Sequence, residues 1–197
     1  CSHPHANPER DAMHTIERQR EQLAVAGIDD VPSSDVGWAT ADLSEFDLPN
    51  DYTLLVPGGA RHRTAKRWPQ ARYVELAKKL RNDGHTPVLI GSAYEDDVLG
   101  AISAAVPGAV NLAGRTNLLQ LAELGRRAVY AVGNDTGPMH LIAAAGCKAV
   151  VLYSHDSDPA LCAQRGADVR ILRRPTLDVL KVATVAAALD NSTPGVV

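Results

Sequence analysis

The chain has 197 residues, enough to bury a full core as one domain or as one domain with an appendage. Its 20 Lys and Arg stand against 23 Asp and Glu, a net charge of −3 with no long basic block, which argues against a nucleic-acid partner. The three cysteines form no C-x-x-C pair, which argues against a disulfide framework and a structural zinc, and Val182 to Leu189, among the longest charge-free runs, is far too short to span a bilayer.

Residues 1–51 read differently from the rest. Asn7-Pro8-Glu9 predicts a helix start, after which Met13, Ile16, Arg20 and Leu23 keep helical spacing up to Gly27. Asp29 to Asp51 is rich in Asp, Ser and Pro without a period and reads as a linker crossing a surface. His3 and His5 lack further donors and read as exposed residues rather than metal ligands. Because the first residue is Cys1 and not Met, the sequence is expected to be a fragment.

From Tyr52 onward strand and helix patterns alternate. Strands are predicted near 52–56, 86–90, 108–112, 128–132, 148–153 and 168–172. Helices are predicted near 70–83, 95–105, 117–127, 137–145, 158–165 and 176–190. Aromatic residues make up only 4% while Ala, Val and Leu abound, which suits helices packed on a buried sheet. The expected fold is α/β, a doubly wound parallel sheet of six strands. If its order is 3-2-1-4-5-6, the winding reverses between strands 1 and 4, and the loops after them flank a ligand crevice.

Those two loops carry unusual chemistry. After strand 1 comes Pro57-Gly58-Gly59-Ala60, followed by the cations Arg61, Arg63, Lys66 and Arg67. Glycines let successive N–H groups converge on an anion, and a lysine supplies a point charge for a diphosphate. Taken alone the loop also reads as a solvated basic turn. After strand 4 comes Gly133-Asn134-Asp135-Thr136-Gly137, and Pro138 opens an Ala-rich helix. A helix N-terminus at a strand's carboxyl end attracts phosphate, although Asp135 and Thr136 could equally serve as helix caps. After strand 2, Glu95 is the choice for a ribose hydroxyl, with Asp96 and Asp97 as first-turn charges. Thr116-Asn117 could touch a base or cap the helix ahead of Leu118, and Asp156-Ser157-Asp158, before Pro159, reads as a cap rather than a metal-binding D-x-D. No metal and no other cofactor is expected.

Three segments together resemble a known family. They are Pro57-Gly58-Gly59-Ala60 running to Lys66-Arg67-Trp68-Pro69, Val110-Asn111-Leu112-Ala113-Gly114-Arg115-Thr116, and Gly133-Asn134-Asp135-Thr136-Gly137-Pro138-Met139-His140. In order and spacing they are similar to the bacterial ADP-heptose:lipopolysaccharide heptosyltransferases, over roughly Tyr52 to Ala167. The resemblance implies a GT-B fold of two Rossmann-like domains, of which residues 52–197 are the C-terminal donor-binding domain. Residues 1–51 would then be a helix and linker forming the tail of an N-terminal acceptor domain. It also implies an inverting, metal-independent transfer of heptose from ADP-heptose to a lipid A core acceptor, in the cytoplasm, with at most peripheral contact with the inner membrane. Lys66 would contact the donor diphosphate and Asp135 the sugar, both as catalytic residues. Gly59, Ala60, Arg61, Thr136, Gly137 and His140 would line the donor, Glu95 would take the ribose, and Thr116 would lie near the adenine. Tyr153-Ser154-His155 departs from the Phe-Gly-Pro usual in that family.

Overall fold

A computed structural model describes residues 4–190, so Cys1 and His3 lie outside it. Six strands form one sheet: β1 (Tyr52–Val56), β2 (Thr86–Leu89), β3 (Val110–Asn111), β4 (Tyr130–Asn134), β5 (Ala149–Tyr153) and β6 (Val169–Arg173). All neighbours pair in parallel, in the order β3-β2-β1-β4-β5-β6. The order is the one the sequence reading took as its condition, and the winding therefore reverses between β1 and β4. Leu55 pairs with both Leu89 and Val132, so the central strands are apolar on both faces.

Helices cover both faces. On one, Leu55, Leu89, Val132 and Leu152 pack against α2 (Gln70–Asn82), α3 (Asp96–Ala105) and α7 (Val182–Asp190), through Tyr73, Leu76, Leu99, Ile102 and Val185. On the other, Leu54, Val56, Val88 and Val151 meet α4 (Leu118–Arg127) and α5 (Gly137–Ala144) through Leu121, Leu124, Met139 and Ile142. Each such side chain contributes about 1.5–3 kcal/mol by leaving water. Phe46 and Leu43 join this second core, and Arg126 donates to the carbonyls of Val36 and Ala39, so the polar stretch before β1 is pinned along the domain.

Three expected helices differ in extent. The first, α1 (Thr15–Val25), begins eight residues beyond Asn7; Asn7 Oδ1 instead accepts from the Glu9 N–H at 2.7 Å in a local turn, and His14 Nδ1 caps the helix at Ile16 N. The helix expected over 158–165 is only α6 (Pro159–Cys162), because Ala163 turns extended with ψ 144°. The last splits into a 3₁₀ turn at Leu177–Val179 and α7, since Leu180 is extended and its carbonyl accepts from the Trp68 indole N–H at 3.0 Å.

At the end of β4 the packing leaves no room for a side chain at Gly133: an added Cβ would lie 2.6 Å from Met139 Sδ and 2.8 Å from Val56 Cβ. Gly133→Ala should therefore cost about 1–3 kcal/mol by overpacking. Gly100 of α3 faces open space, and Gly100→Ala should gain about 0.5–1 kcal/mol. Urea unfolding of the two variants checks this; shifts in the same direction would refute it.

Candidate functional site

The carboxyl ends of β1, β2 and β4 open into a cleft of about 1400 Å³. Its floor depends on Asn134, the fully buried last residue of β4. Asn134 Nδ2 donates to the carbonyls of Pro57 (2.8 Å) and Gly58 (3.0 Å). Its Oδ1 accepts from the Trp68 backbone N–H and the Tyr73 hydroxyl, both at 3.0 Å. Two donors and two lone pairs are thus all used, and the amide fixes both ends of the basic loop to the strand beside it.

On that floor Lys66 and Asp135 meet. Lys66 Nζ donates to Asp135 Oδ2 at 2.6 Å, and their side chains are only 14% and 7% exposed, so solvent screens the pair poorly. Asp135 also accepts from Ser157 Oγ (2.7 Å) and Gln164 Nε2 (3.0 Å). Burial pushes its carboxyl pKa up, but the bonds from Lys66, Ser157 and Gln164 outweigh that and hold it below the usual carboxylate value. No helix N–H is among the partners of Asp135, and Thr136, which occupies the cap position of α5, makes no side-chain cap bond. The capping alternative therefore does not describe these two residues. The first turn of α5 turns Thr136, Gly137 and Pro138 to the cleft.

Opposite stands Glu95. Its Oε1 accepts from Gly59 N–H at 2.7 Å, and Oε2 accepts from Ser92 N–H (2.8 Å) and Ser92 Oγ (2.9 Å). The carboxylate fills the space where a Cβ at Gly58 would stand, 1.8 Å from Oε1, so a larger residue there would displace Glu95 from this position. Three of its roughly four acceptor positions are used, joining the β1 and β2 loops. Asp96 pairs instead with Asn111 Nδ2 at 2.9 Å.

Gly59 sits between Arg67 and Thr136. Arg67 Nη2 donates to the Gly59 and Ala60 carbonyls, while Arg67 Nε and Thr136 Oγ1 are buried without a hydrogen-bond partner among the described residues. Unpaired buried polar groups are costly, and these two lie on residues that line the cleft. At the rim, Arg61, His62 and Arg63 are exposed, and the Arg61 guanidinium lies 4.9 Å from the centre of the Tyr94 ring, itself 80% exposed.

Thus Gly59, Ala60, Arg61, Lys66, Glu95, Asp135, Thr136 and Gly137 all line one cleft, whereas Thr116 and His140 do not. Beside Thr116, Asn117 caps α4 and accepts from Gln120 N–H at 2.9 Å. His140 stands one turn into α5; partial burial lowers its pKa, and the Asp135 carboxylate opposes this. Asp158 caps α6 as expected. Sequence reasoning missed Asn134, Ser157 and Gln164; only Asn134 had a signal, as the polar residue ending an apolar strand. Among the described residues no three His, Cys, Asp or Glu side chains gather as metal ligands, and no helix is long and apolar enough to cross a membrane.

Comparisons with known proteins agree with this architecture. The family model for glycosyltransferase family 9 (heptosyltransferase) matches residues 4–176. The chain is 39% identical over 120 residues to lipopolysaccharide heptosyltransferase 2 of Salmonella typhimurium, covering 58% of this chain and 34% of that protein. It superposes on the E. coli ADP-heptose lps heptosyltransferase II with a TM-score of 0.69 and 29% identity, over 82% of this chain and 51% of the other. A second E. coli heptosyltransferase, solved with ADP, matches with a TM-score of 0.72 and 25% identity over 89% of this chain and 55% of its own. The chain spans about a third of the length of the curated relatives it matches. With a match over most of its length, the chain belongs to glycosyltransferase family 9, the heptosyltransferases.

Proposed function

We propose that this chain is the donor-binding half of an inverting, metal-independent heptosyltransferase of lipopolysaccharide core assembly. The Lys66–Asp135 pair between a glycine loop and the N-terminus of α5 carries the reading. ADP-heptose enters with its diphosphate against the Gly58–Gly59 backbone, Lys66 and the first turn of α5. The relative solved with ADP supports the nucleotide. Glu95, held by three donors, keeps one acceptor position for a ribose hydroxyl, and Arg67 Nε and Thr136 Oγ1 supply free donors beside Gly59. Lys66 shifts to the phosphates, and Asp135, which keeps its bonds from Ser157 and Gln164, is left facing the donor sugar.

In the reaction an acceptor hydroxyl oxygen forms a bond to the anomeric carbon while that carbon's bond to the β-phosphate oxygen breaks. The acceptor's proton passes to a base on the facing domain, and negative charge accumulates on ADP. Lys66 and the helix dipole stabilise that charge in a site prearranged for it. Residues 1–51 are assigned as the segment leading from the acceptor domain, and the exposed Arg61, His62 and Arg63 as rim that this domain partly covers. The acceptor is a lipid A core saccharide, reached from the cytoplasmic side with at most peripheral membrane contact.

Calorimetric titration with ADP-heptose, ADP and UDP tests the donor class; tighter binding of UDP would assign the cleft to a UDP-sugar enzyme instead. Lys66→Ala should weaken ADP by about one to two decades, the worth of a charge-assisted bond of about 1.5–3 kcal/mol, and leave adenosine nearly untouched. Equal losses for both would overturn the assignment of Lys66. Asp135 titrates at lower pH when folded than when unfolded. Its contribution to stability is thus fully present above the ordinary carboxylate range and disappears as pH falls through the lowered folded value. Asp135→Asn should flatten the acid limb of a stability-versus-pH curve; an unchanged limb would show that the pair contributes nothing. The 197-residue chain should bind ADP-heptose weakly and transfer no sugar, because closure that excludes water needs the facing wall. Fusing the N-terminal domain of the Salmonella relative should restore transfer. Turnover by the chain alone would place the base here, with Asp135 and Glu95 as candidates.

A further inference from the structure

The segment between β5 and β6 holds the Asp135 carboxylate from the side away from Lys66. Ser157 precedes α6 and gives its hydroxyl proton to Asp135 Oδ2; Cys162 Sγ lies 3.3 Å from the same hydroxyl and 3.3 Å from the Asp158 carbonyl, to which its thiol donates. Gln164 follows α6, is 4% exposed, and donates from Nε2 to Asp135 Oδ1. Its amide oxygen accepts from the Tyr153 hydroxyl at 2.9 Å, and that hydroxyl also faces the Cys162 carbonyl at 3.2 Å. A carboxylate offers only acceptors, so the amide cannot turn over without placing two oxygens together. Each oxygen of Asp135 thus has a partner from this segment.

The geometry points to Ser157 and Gln164 as positioning residues for the proposed transfer: they fix the Asp135 carboxylate in the orientation that presents the Lys66 ammonium to the cleft, with Tyr153 setting the direction of the Gln164 amide. Neither side chain lines the cleft, so both act through Asp135. The segment is held from outside by α1. Thr15 Oγ1 donates to the Leu161 carbonyl (3.1 Å), His14 Nε2 lies 3.2 Å from the Ala163 carbonyl, and Arg165 pairs with Glu17 at 2.8 Å. Losing either donor leaves Asp135 able to rotate, and Lys66 follows it. Lys66, on the β1 loop, His140, on α5, and Tyr153, on β5, are among the described residues the other titratable groups acting on this carboxylate.

This rests on the reading of the cleft as a nucleotide-sugar site, and two measurements on the 197-residue chain separate the ideas. NMR titration of the Asp135 carboxyl needs no ligand, and calorimetry with ADP reads the site. Ser157→Ala and Gln164→Leu should each move the Asp135 midpoint upward and weaken ADP about tenfold, the lower end expected for a bond to a charged group. Ser157→Thr, which keeps the hydroxyl, should restore both. If Gln164→Leu does not fold, the Ser157 pair decides alone. Variants that lose thermal stability but keep the native midpoint and ADP affinity would overturn the proposal and leave a packing role only. If the native chain binds no ADP, the nucleotide reading fails and the Asp135 midpoint alone decides positioning.

Discussion

The buried amide of Asn134 is the constraint on which the rest of the site depends. A parallel sheet ends its strands in loops with no ladder of their own, so the backbone groups there need other partners. One side chain serves three of them, the carbonyls of Pro57 and Gly58 and the Trp68 amide, and takes the Tyr73 hydroxyl as well. Trp68 is then held at its other end by Leu180, with its ring edge-on to Tyr73 at 5.0 Å. The basic loop is therefore fixed at both ends, and between them Gly59 to Arg63 and Lys66 line the cleft.

Charge is placed with the same economy of contacts. A lysine at the mouth of a helix meets the positive end of the dipole, an unfavourable neighbour unless an anion stands between them. Asp135 is that anion, 2.6 Å from the Lys66 ammonium. Glu95 acts across the cleft as a brace before it is anything else, since three backbone and hydroxyl donors already claim it. The same carboxylate that joins two loops therefore also limits how many ligand hydroxyls that wall can receive.

What was legible in the sequence followed the range of the interactions concerned. Strand positions came from apolar runs bounded by turns, because a sheet covered on both faces writes itself as unbroken Val, Leu and Ala, whereas the strand order entered only as a condition. The glycine loop and the Asp135 turn were legible because each is contiguous. Helix limits were misread where a distant partner took over: Leu180 is extended because its carbonyl serves Trp68, 112 residues away. Asn7-Pro8 matched a helix start, yet its side chain closed a turn two residues on. Ser157 and Gln164 were invisible as site residues because Asp135 lies 22 and 29 positions earlier, and nothing beside them in sequence points to it.

The docking of α1 on α6 has a consequence in time. No residue of α1 is buried, and the bonds of Thr15 to Leu161 and of the capping His14 to Ala163 close loops of 146 and 149 positions, most of the described chain. Such closures are entropically the most expensive and are rewarded here by few contacts, so they form last and open first. The sheet and the basic loop can be complete while this clasp is still undone. Amide protons of α1 should thus exchange long before those of β1 and β4, and each brief opening would slacken the segment behind Asp135 without disturbing a single strand.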